Sequence, residues 1–462
     1  MRLAPLAPLV SALLLGACTS DRADTGTKPD PDEDGGLTLS LATVPTVLLA
    51  SWTTAEPTLS VVTARFDGET RTFTEAEATT DHAVTLIGFP SLTDVTVEVT
   101  AEGDDASPYG SITTGPLPRW VPSLSFVADA PDAAEGGFTL VPTIFADSGG
   151  ILVVDDAARV VWAWPVEADS MGLDDPPFRA VMSLDGTAVV FNQGAETLDK
   201  DGYIQRISLD GSEVTRIAVP TAHTDFVEYA DDAYLALGWE EQTVDGRRFL
   251  GDTVREILPD GTQNVLWTVW DHYSPDLTRT YTQPYPEDAG LEDWSHINGI
   301  SYDPVDDDLY ITASFNDSVM RIDHATGGLE WTLSDTNGGD FARSEGPSRV
   351  LWPHSVQRTD EGITGFSRGN PGNPETCSWA VDLALDETAF EATETWRYTS
   401  PDCLLVTFLG GAARLPGGNT LITWTTSGRI DEVTPEGDVA WEISTPIGSA
   451  FGFSTRSPTF GM

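Results

Sequence analysis

The sequence predicts an all-β protein: a small β-sandwich followed by a six-bladed β-propeller. Three observations predict it. Short stretches of alternating polar and apolar residues are joined by tight turns rich in Asp, Gly and Pro, as in GISYDPVDDDLYITAS from Gly299, which is the pattern of antiparallel sheet. From about residue 121 one four-strand unit recurs, its clearest copy running from Asp293 to Trp331. The copies are spaced roughly forty to sixty residues apart, the spacing of a closed array of sheets.

Each copy has two halves. The inner halves are AVMSLDGTAVVFN at 180, DFVEYADDAYLALGW at 225, GISYDPVDDDLYITAS at 299, SVQRTDEGITGFS at 355 and AARLPGGNTLITW at 412, with GFTLVPTIFADSGG assigned to the first module. The outer halves begin at 151, 203, 253, 319, 379 and 429, and many end in a strand that carries Trp. Trp162, Trp267, Trp331, Trp396 and Trp441 are read as core between neighbouring blades. A propeller closes on itself and so leaves few exposed edges.

The 462 residues are too many for one compact core, which points to two domains. With 24 basic and 73 acidic side chains, the chain carries −49 at pH 7. Nucleic acid and anionic lipid repel such a surface, so neither is expected as a partner. The acids are spread through the turns and serve to keep the protein soluble. An anionic substrate would need local positive groups to overcome this field.

Residues 1–18, MRLAPLAPLVSALLLGAC, read as a targeting segment whose apolar run is too short to span a bilayer. Leu15-Gly16-Ala17-Cys18 resembles a bacterial lipobox, which implies cleavage before Cys18 and its lipidation. Thr19, where Asp would signal inner-membrane retention, favours an exported lipoprotein of the outer membrane, on its periplasmic or cell-surface face. Residues 19–36, TSDRADTGTKPDPDEDGG, form a flexible acidic linker. Cys377 and Cys403 remain, and one disulfide is their expected use in an exported protein. Residues 37–120 alternate in period two. SWTTAEPTLSVVTARFDG and GFPSLTDVTVEVTAEGDD resemble a fibronectin type III domain, with Trp52 as core and Val95–Thr100 as a late strand. No chemistry is assigned to it, and His82 is read as a surface histidine.

Chemistry enters with the histidines. His223, His296 and His354 stand at one phase of the repeat, each about six residues ahead of an inner hairpin turn. Ala180 and Ala412 lie near that phase in two other modules, so the repeat does not demand histidine there. In a propeller these positions crowd around one mouth of the central channel. Three imidazoles from three blades then share a pocket. They could bind a metal, or handle an oxyanion as nucleophile, general acid and electrostatic clamp. The chain has no GxxxxGK[ST] phosphate loop and no HExxH motif. No metal and no bound cofactor are expected.

Asp293-Trp294-Ser295-His296-Ile297-Asn298, the following SYDPVDDDLYITAS, the IDHATGGLEW turn and Trp352-Pro353-His354 resemble bacterial arylsulfate sulfotransferases. The resemblance spans about residues 136–443 and is most specific at DWxHxN…YDxxDD. It implies a β-sandwich and a six-bladed propeller, and sulfuryl transfer from an aryl sulfate to a phenol, independent of a nucleotide donor. The implied route is ping-pong through a sulfohistidine. By resemblance His354 is the nucleophile, His223 and His296 orient and stabilise the transferring group, and Asn298 contacts substrate.

The chain departs from the family in one place. Ser314 stands where the family has an arginine, in Thr312-Ala313-Ser314-Phe315. A fixed cation facing the sulfuryl oxygens is worth orders of magnitude in rate. Arg368, in GFSRGN on the strand after His354, is the replacement to test, with Arg179 behind it. Three outcomes stay open: a sulfotransferase with a rearranged cation, an enzyme for another anion, or a surface propeller that binds a ligand or protein without catalysis.

Overall fold

A computed structural model describes residues 36–101, 108–128, 130–144, 149–166, 176–195, 197–281, 290–370, 376–445 and 450–461. The targeting segment, Cys18 and nearly all of the acidic linker lie outside the described residues. Among the described residues the regular structure is strand plus short 3-10 turns, with no α-helix. The protein is all-β and of propeller type.

The alternating stretches form two facing sheets. One pairs Thr38–Leu41, Leu48–Thr58 and Thr79–Leu86; the other orders Glu69–Thr74, Ser60–Phe66, Asp94–Ala101 and Tyr109–Thr113. Val62, Ala64 and Phe66 from one strand and Val95, Val97 and Val99 from its neighbour are buried, and the residues between them face outward or part-way. This is the two-residue periodicity of a half-buried strand. Trp52 is core, as expected. His82 is not at the surface. It is buried, stacked on Trp52 with ring centroids 4.7 Å apart, and bonded to Glu75 (2.8 Å) and Thr54 (2.9 Å). The carboxylate and hydroxyl satisfy both ring nitrogens, which lets a polar ring be buried.

Six further antiparallel sheets follow among the described residues, one for each repeat. Sheets two to five each begin with their inner strand: Pro177–Met182, Ala222–Ala230, Ile297–Asp303 and Pro353–Thr359. Sheet six begins with Gly411–Arg414 and gains Ser125–Val127 on its outer edge. Sheet one departs from the expectation. Phe138–Ile144 is its second strand, and the innermost place is filled from the C-terminal side by Ala450–Phe451 and Thr455–Ser457. The sequence of the first module could not show this, because its missing strand lies over three hundred residues downstream.

Indole groups tie three of the sheets to the next one. Trp162 Nε1 donates to the Leu209 carbonyl of sheet two, Trp396 to Pro435 of sheet six, and Trp441 to Asp156 of sheet one. Trp162, Trp267, Trp331 and Trp441 are fully buried, whereas Trp396 is half-buried. The sandwich is fixed to the ring and does not hang from it. Its core is continuous with that of sheets one and two, from Val62 and Phe89 to Trp162 and Phe191. Thr46 Oγ1 donates to Val161 (2.6 Å) and Glu69 pairs with Arg159 (2.7 Å).

A buried ion pair locks the ring where its ends meet. Arg456, in the C-terminal strand Thr455–Ser457, bonds Glu432 of sheet six (3.1 Å), the Glu135 carbonyl (2.6 Å) and Thr139 Oγ1 (2.7 Å). Both charged side chains are essentially inaccessible. Removing one partner strands the other charge in a medium of low polarity. Arg456→Met is therefore expected to lower the unfolding free energy by about 3–5 kcal/mol, measured by denaturant titration, with little effect on the sandwich strands.

Candidate functional site

The three phased histidines sit where three inner strands start, and each start is irregular. Pairing with the second strand slips between Ala222 and Phe226, between Ile297 and Gly299, and between Pro353 and Ser355. The backbone is in the left-handed region within or just ahead of each slip, at Thr224 (φ 43°), His296 (φ 48°) and Trp352 (φ 50°). Such geometry is costly for side chains with a Cβ, and for threonine above all. A bulge re-aims the side chain it carries: the slips carry His223 and His354, whereas His296 stands just ahead of its strand and the slip there carries Asn298. In sheet two the same slip, between Pro177 and Ala180, presents Arg179 instead of alanine. Arg179 pairs with buried Asp225 at 3.0 Å and stands 6.0 Å from the Phe453 ring. Burial raises the Asp225 pKa against the pull of that arginine.

Neighbouring inner strands approach closely because small residues allow it. A Cβ added to Gly299 would lie 2.8 Å from the His354 carbonyl oxygen. Side chains then stitch strand to strand. Asp225 accepts from Ile300 N (3.0 Å), Ser314 Oγ donates to Pro353 O (2.7 Å), and Ser355 Oγ accepts from Ala412 N (3.0 Å).

His354 is buried, packed 5.0 Å from the Phe453 ring, and among the described residues its Nδ1 has no hydrogen-bond partner. Burial pushes its pKa well below 6.5, and the charges of Arg368 and His296 add to this. The ring is therefore a neutral imidazole at neutral pH, the form that can attack an electrophile.

Arg368 is buried beside it. Its Nη2 lies 3.4 Å from Ser314 Oγ, its Nη1 donates to the Thr407 carbonyl (3.2 Å), and its guanidinium is 5.5 Å from the Trp352 ring. The cation thus reaches, from the neighbouring sheet, the place where Ser314 stands. Among the described residues no carboxylate pairs with it, and desolvation alone pulls its pKa down to about 10. A charged group buried without a counter-ion is costly unless a ligand supplies one. The loop behind it is fixed: Ser378 Oγ donates to the Arg368 carbonyl (2.8 Å), next to the Cys377–Cys403 disulfide.

His296 is the most exposed of the three, with about a quarter of its side chain accessible. Its Nδ1 bonds Asp293 (2.6 Å) and its ring stacks on Phe315 (4.9 Å). Burial raises the Asp293 pKa, and the charge of His296 opposes the rise. His223 lies deeper, stacked on Trp239 (4.6 Å), with Nδ1 at 2.9 Å from Thr224 Oγ1. Its Nε2 is 3.0 Å from Asp252 Oδ1, close enough for a charge contact though not aligned for a hydrogen bond. Asn298 is turned inward, its amide donating to Ser314 Oγ (2.7 Å) and its oxygen accepting from Thr312 (3.1 Å). It sets the position of Ser314.

Sequence reasoning missed Asp252 and gave Asp293 no role. Asp252 comes from Arg247–Ile257, a strand buried on both faces in its middle; an acid in such a run was the available signal. His272 and His324 lie away from this cluster, against Trp267 and Asp307. Among the described residues no group of His, Cys, Asp and Glu could hold a metal ion.

Comparison with known proteins places this geometry. Three solved structures illustrate what the chain is similar to. A Bacteroides caccae protein of unknown function is 15% identical, covering 66% of this chain and 93% of its own, with a TM-score of 0.37. Virginiamycin B lyase from Staphylococcus aureus is 13% identical, covering 72% and 100%, at 0.36. The β-propeller domain of Cps50 (Swd1) from Myceliophteria thermophila is 11% identical, covering 68% and 90%, at 0.38. Values this low say nothing about chemistry. A search of curated proteins finds no significant match. The model of the arylsulfotransferase (ASST) family matches residues 125–402, which hold every histidine of the cluster together with Asp252, Asp293 and Arg368. The chain belongs to the arylsulfotransferase family.

Proposed function

We propose that the protein transfers a sulfuryl group from an aryl sulfate to a phenol by a ping-pong route through a sulfohistidine at His354. Family membership supports aryl sulfotransfer in general. The observation that carries the finer reading is the pairing of a neutral, buried imidazole with a buried guanidinium that has no acidic partner among the described residues. One is the form needed to attack sulfur; the other is a buried positive charge suited to an anion in a chain of net charge −49.

In the first half-reaction a His354 ring nitrogen attacks sulfur, the S–O(aryl) bond breaks, and its electron pair leaves on the phenolate. Arg368 holds the sulfuryl oxygens as charge redistributes. His296, nearest the opening, protonates the departing oxygen. In the second half a phenol gives that proton back to His296 as its oxygen attacks sulfur, and His354 is released. The aromatic rings of Phe453, Phe315 and Trp352 around these groups suit an aryl substrate. No bound cofactor enters the cycle.

We also propose that Cys18 is lipidated and anchors the enzyme to an outer membrane, on the strength of Leu15-Gly16-Ala17-Cys18. The runner-up reading, a binder without catalysis, is favoured by Ser314 in place of an arginine.

The test is nitrophenolate release from 4-nitrophenyl sulfate, with and without a phenol acceptor. Acceptor-dependent release that disappears in His354→Asn, with a sulfuryl group on His354 in the donor-only sample by mass spectrometry, is the expected result. No release by folded protein across several donors would leave the binder. Arg368→Met is expected to lower kcat/KM by about 100- to 1000-fold, and Arg368→Lys to recover part of that, because a point charge replaces a planar fork. Because the His354 pKa is lowered, the imidazole stays unprotonated as pH falls through 6.5. Single-turnover sulfation of His354 is therefore expected to show no acid limb at the usual histidine pKa and to fail only further into acid.

A further inference from the structure

Both ring nitrogens of His223 lie beside protein atoms, Nδ1 2.9 Å from Thr224 Oγ1 and Nε2 3.0 Å from Asp252 Oδ1. Asp252 is buried, and its other oxygen holds the residues on both sides of His296: Ser295 Oγ donates to it at 2.5 Å and Ile297 N at 2.9 Å. Asp293 holds His296 itself, through Nδ1 (2.6 Å) and through the backbone N–H (3.1 Å). His296 is thus gripped from both sides by carboxylates while its backbone is kept in a left-handed conformation.

We propose that Asp252 and Asp293 are positioning residues for the proton-transfer role of His296, and that His223 works only through Asp252. The proposal rests on the sulfotransfer reading above. Its physical content is charge placement. Asp293 stabilises the imidazolium that protonates the leaving oxygen, as a carboxylate does for a catalytic histidine. Asp252 fixes the strained turn that aims the ring, and His223 supplies the positive edge that keeps Asp252 in place. Removing His223 should therefore mimic a weakened Asp252, with no separate effect on the sulfuryl oxygens.

The experiment compares donors that differ only in how badly the leaving group needs a proton. Phenyl sulfate departs as a basic phenolate, 4-nitrophenyl sulfate as a weakly basic one. Asp293→Asn, Asp252→Asn and His223→Gln are expected to lower kcat about 100-fold for phenyl sulfate and less than about 10-fold for 4-nitrophenyl sulfate. The double variant His223→Gln/Asp252→Asn is expected to match Asp252→Asn alone. Ser295→Ala, a smaller change, should shift in the same direction should a charge variant fold poorly. Equal losses on both donors, or multiplying losses in the double variant, would overturn the proposal. A second readout needs no turnover. In nitrogen-15 spectra of labelled histidine, the His296 ring resonances should move in His223→Gln and Asp252→Asn. Unmoved resonances would refute the coupling, and moved resonances in a protein inactive on every donor would reject sulfotransfer while keeping the coupling.

Discussion

A ring of sheets has two open edges until its ends are paired, and here everything else waits on that pairing. Ser125–Val127 covers the outer edge of sheet six, and the strands from Ala450 to Ser457 fill the inner edge of sheet one. The Arg456–Glu432 pair sits at the seam, isolated from water. A buried pair of this kind adds little net stability compared with apolar packing, yet it rejects a seam that is out of register, since a slipped pairing would strand two charges. The seam in turn fixes the channel. Three histidines from three sheets converge only when the inner strands are held at a set spacing, and the stitches from Asp225, Ser314 and Ser355 carry that spacing from one strand to the next.

Much of this was legible in the sequence, and the boundary has a physical cause. Local signals, such as alternating strands, Asp-Gly turns and the Trp of most outer strands, are set by neighbours a few residues away, and they marked out the sheets. The phase of His223, His296 and His354 was legible because a repeat converts position in sequence into position in space. What depends on the path between sheets was not. The inner strand of sheet one is contributed from the far end of the ring. Arg179, one residue from the alanine counted as the phase position, is presented by a slip in pairing that no pattern announces. Asp252 reads as one more acid among 73, and only its burial marks it. His82 looked like a surface residue beside a turn, and the Glu75 carboxylate together with a hydroxyl 28 residues away made its burial possible.

The site separates charge in a way the overall composition hides. On one side stand a neutral imidazole and an arginine without an acidic partner among the described residues; on the other, two buried carboxylates hold two further imidazoles. The arginine's origin also changes. A guanidinium brought from sheet five to the side of Ser314 reaches a place that the family resemblance assigns to a residue of sheet four. Function can survive such a move because an anion senses where charge is, and the strand that delivers it is immaterial.

Phe453 packs on His354 from between the two short strands that complete sheet one, in a segment that follows sheet six in chain order. The order of synthesis therefore matters to assembly. A nascent chain carries His354 for a long interval without the ring that packs against it. The surroundings of His354 are complete only after sheet six has been made. The closing segment is then a temporal constraint as well as a mechanical one.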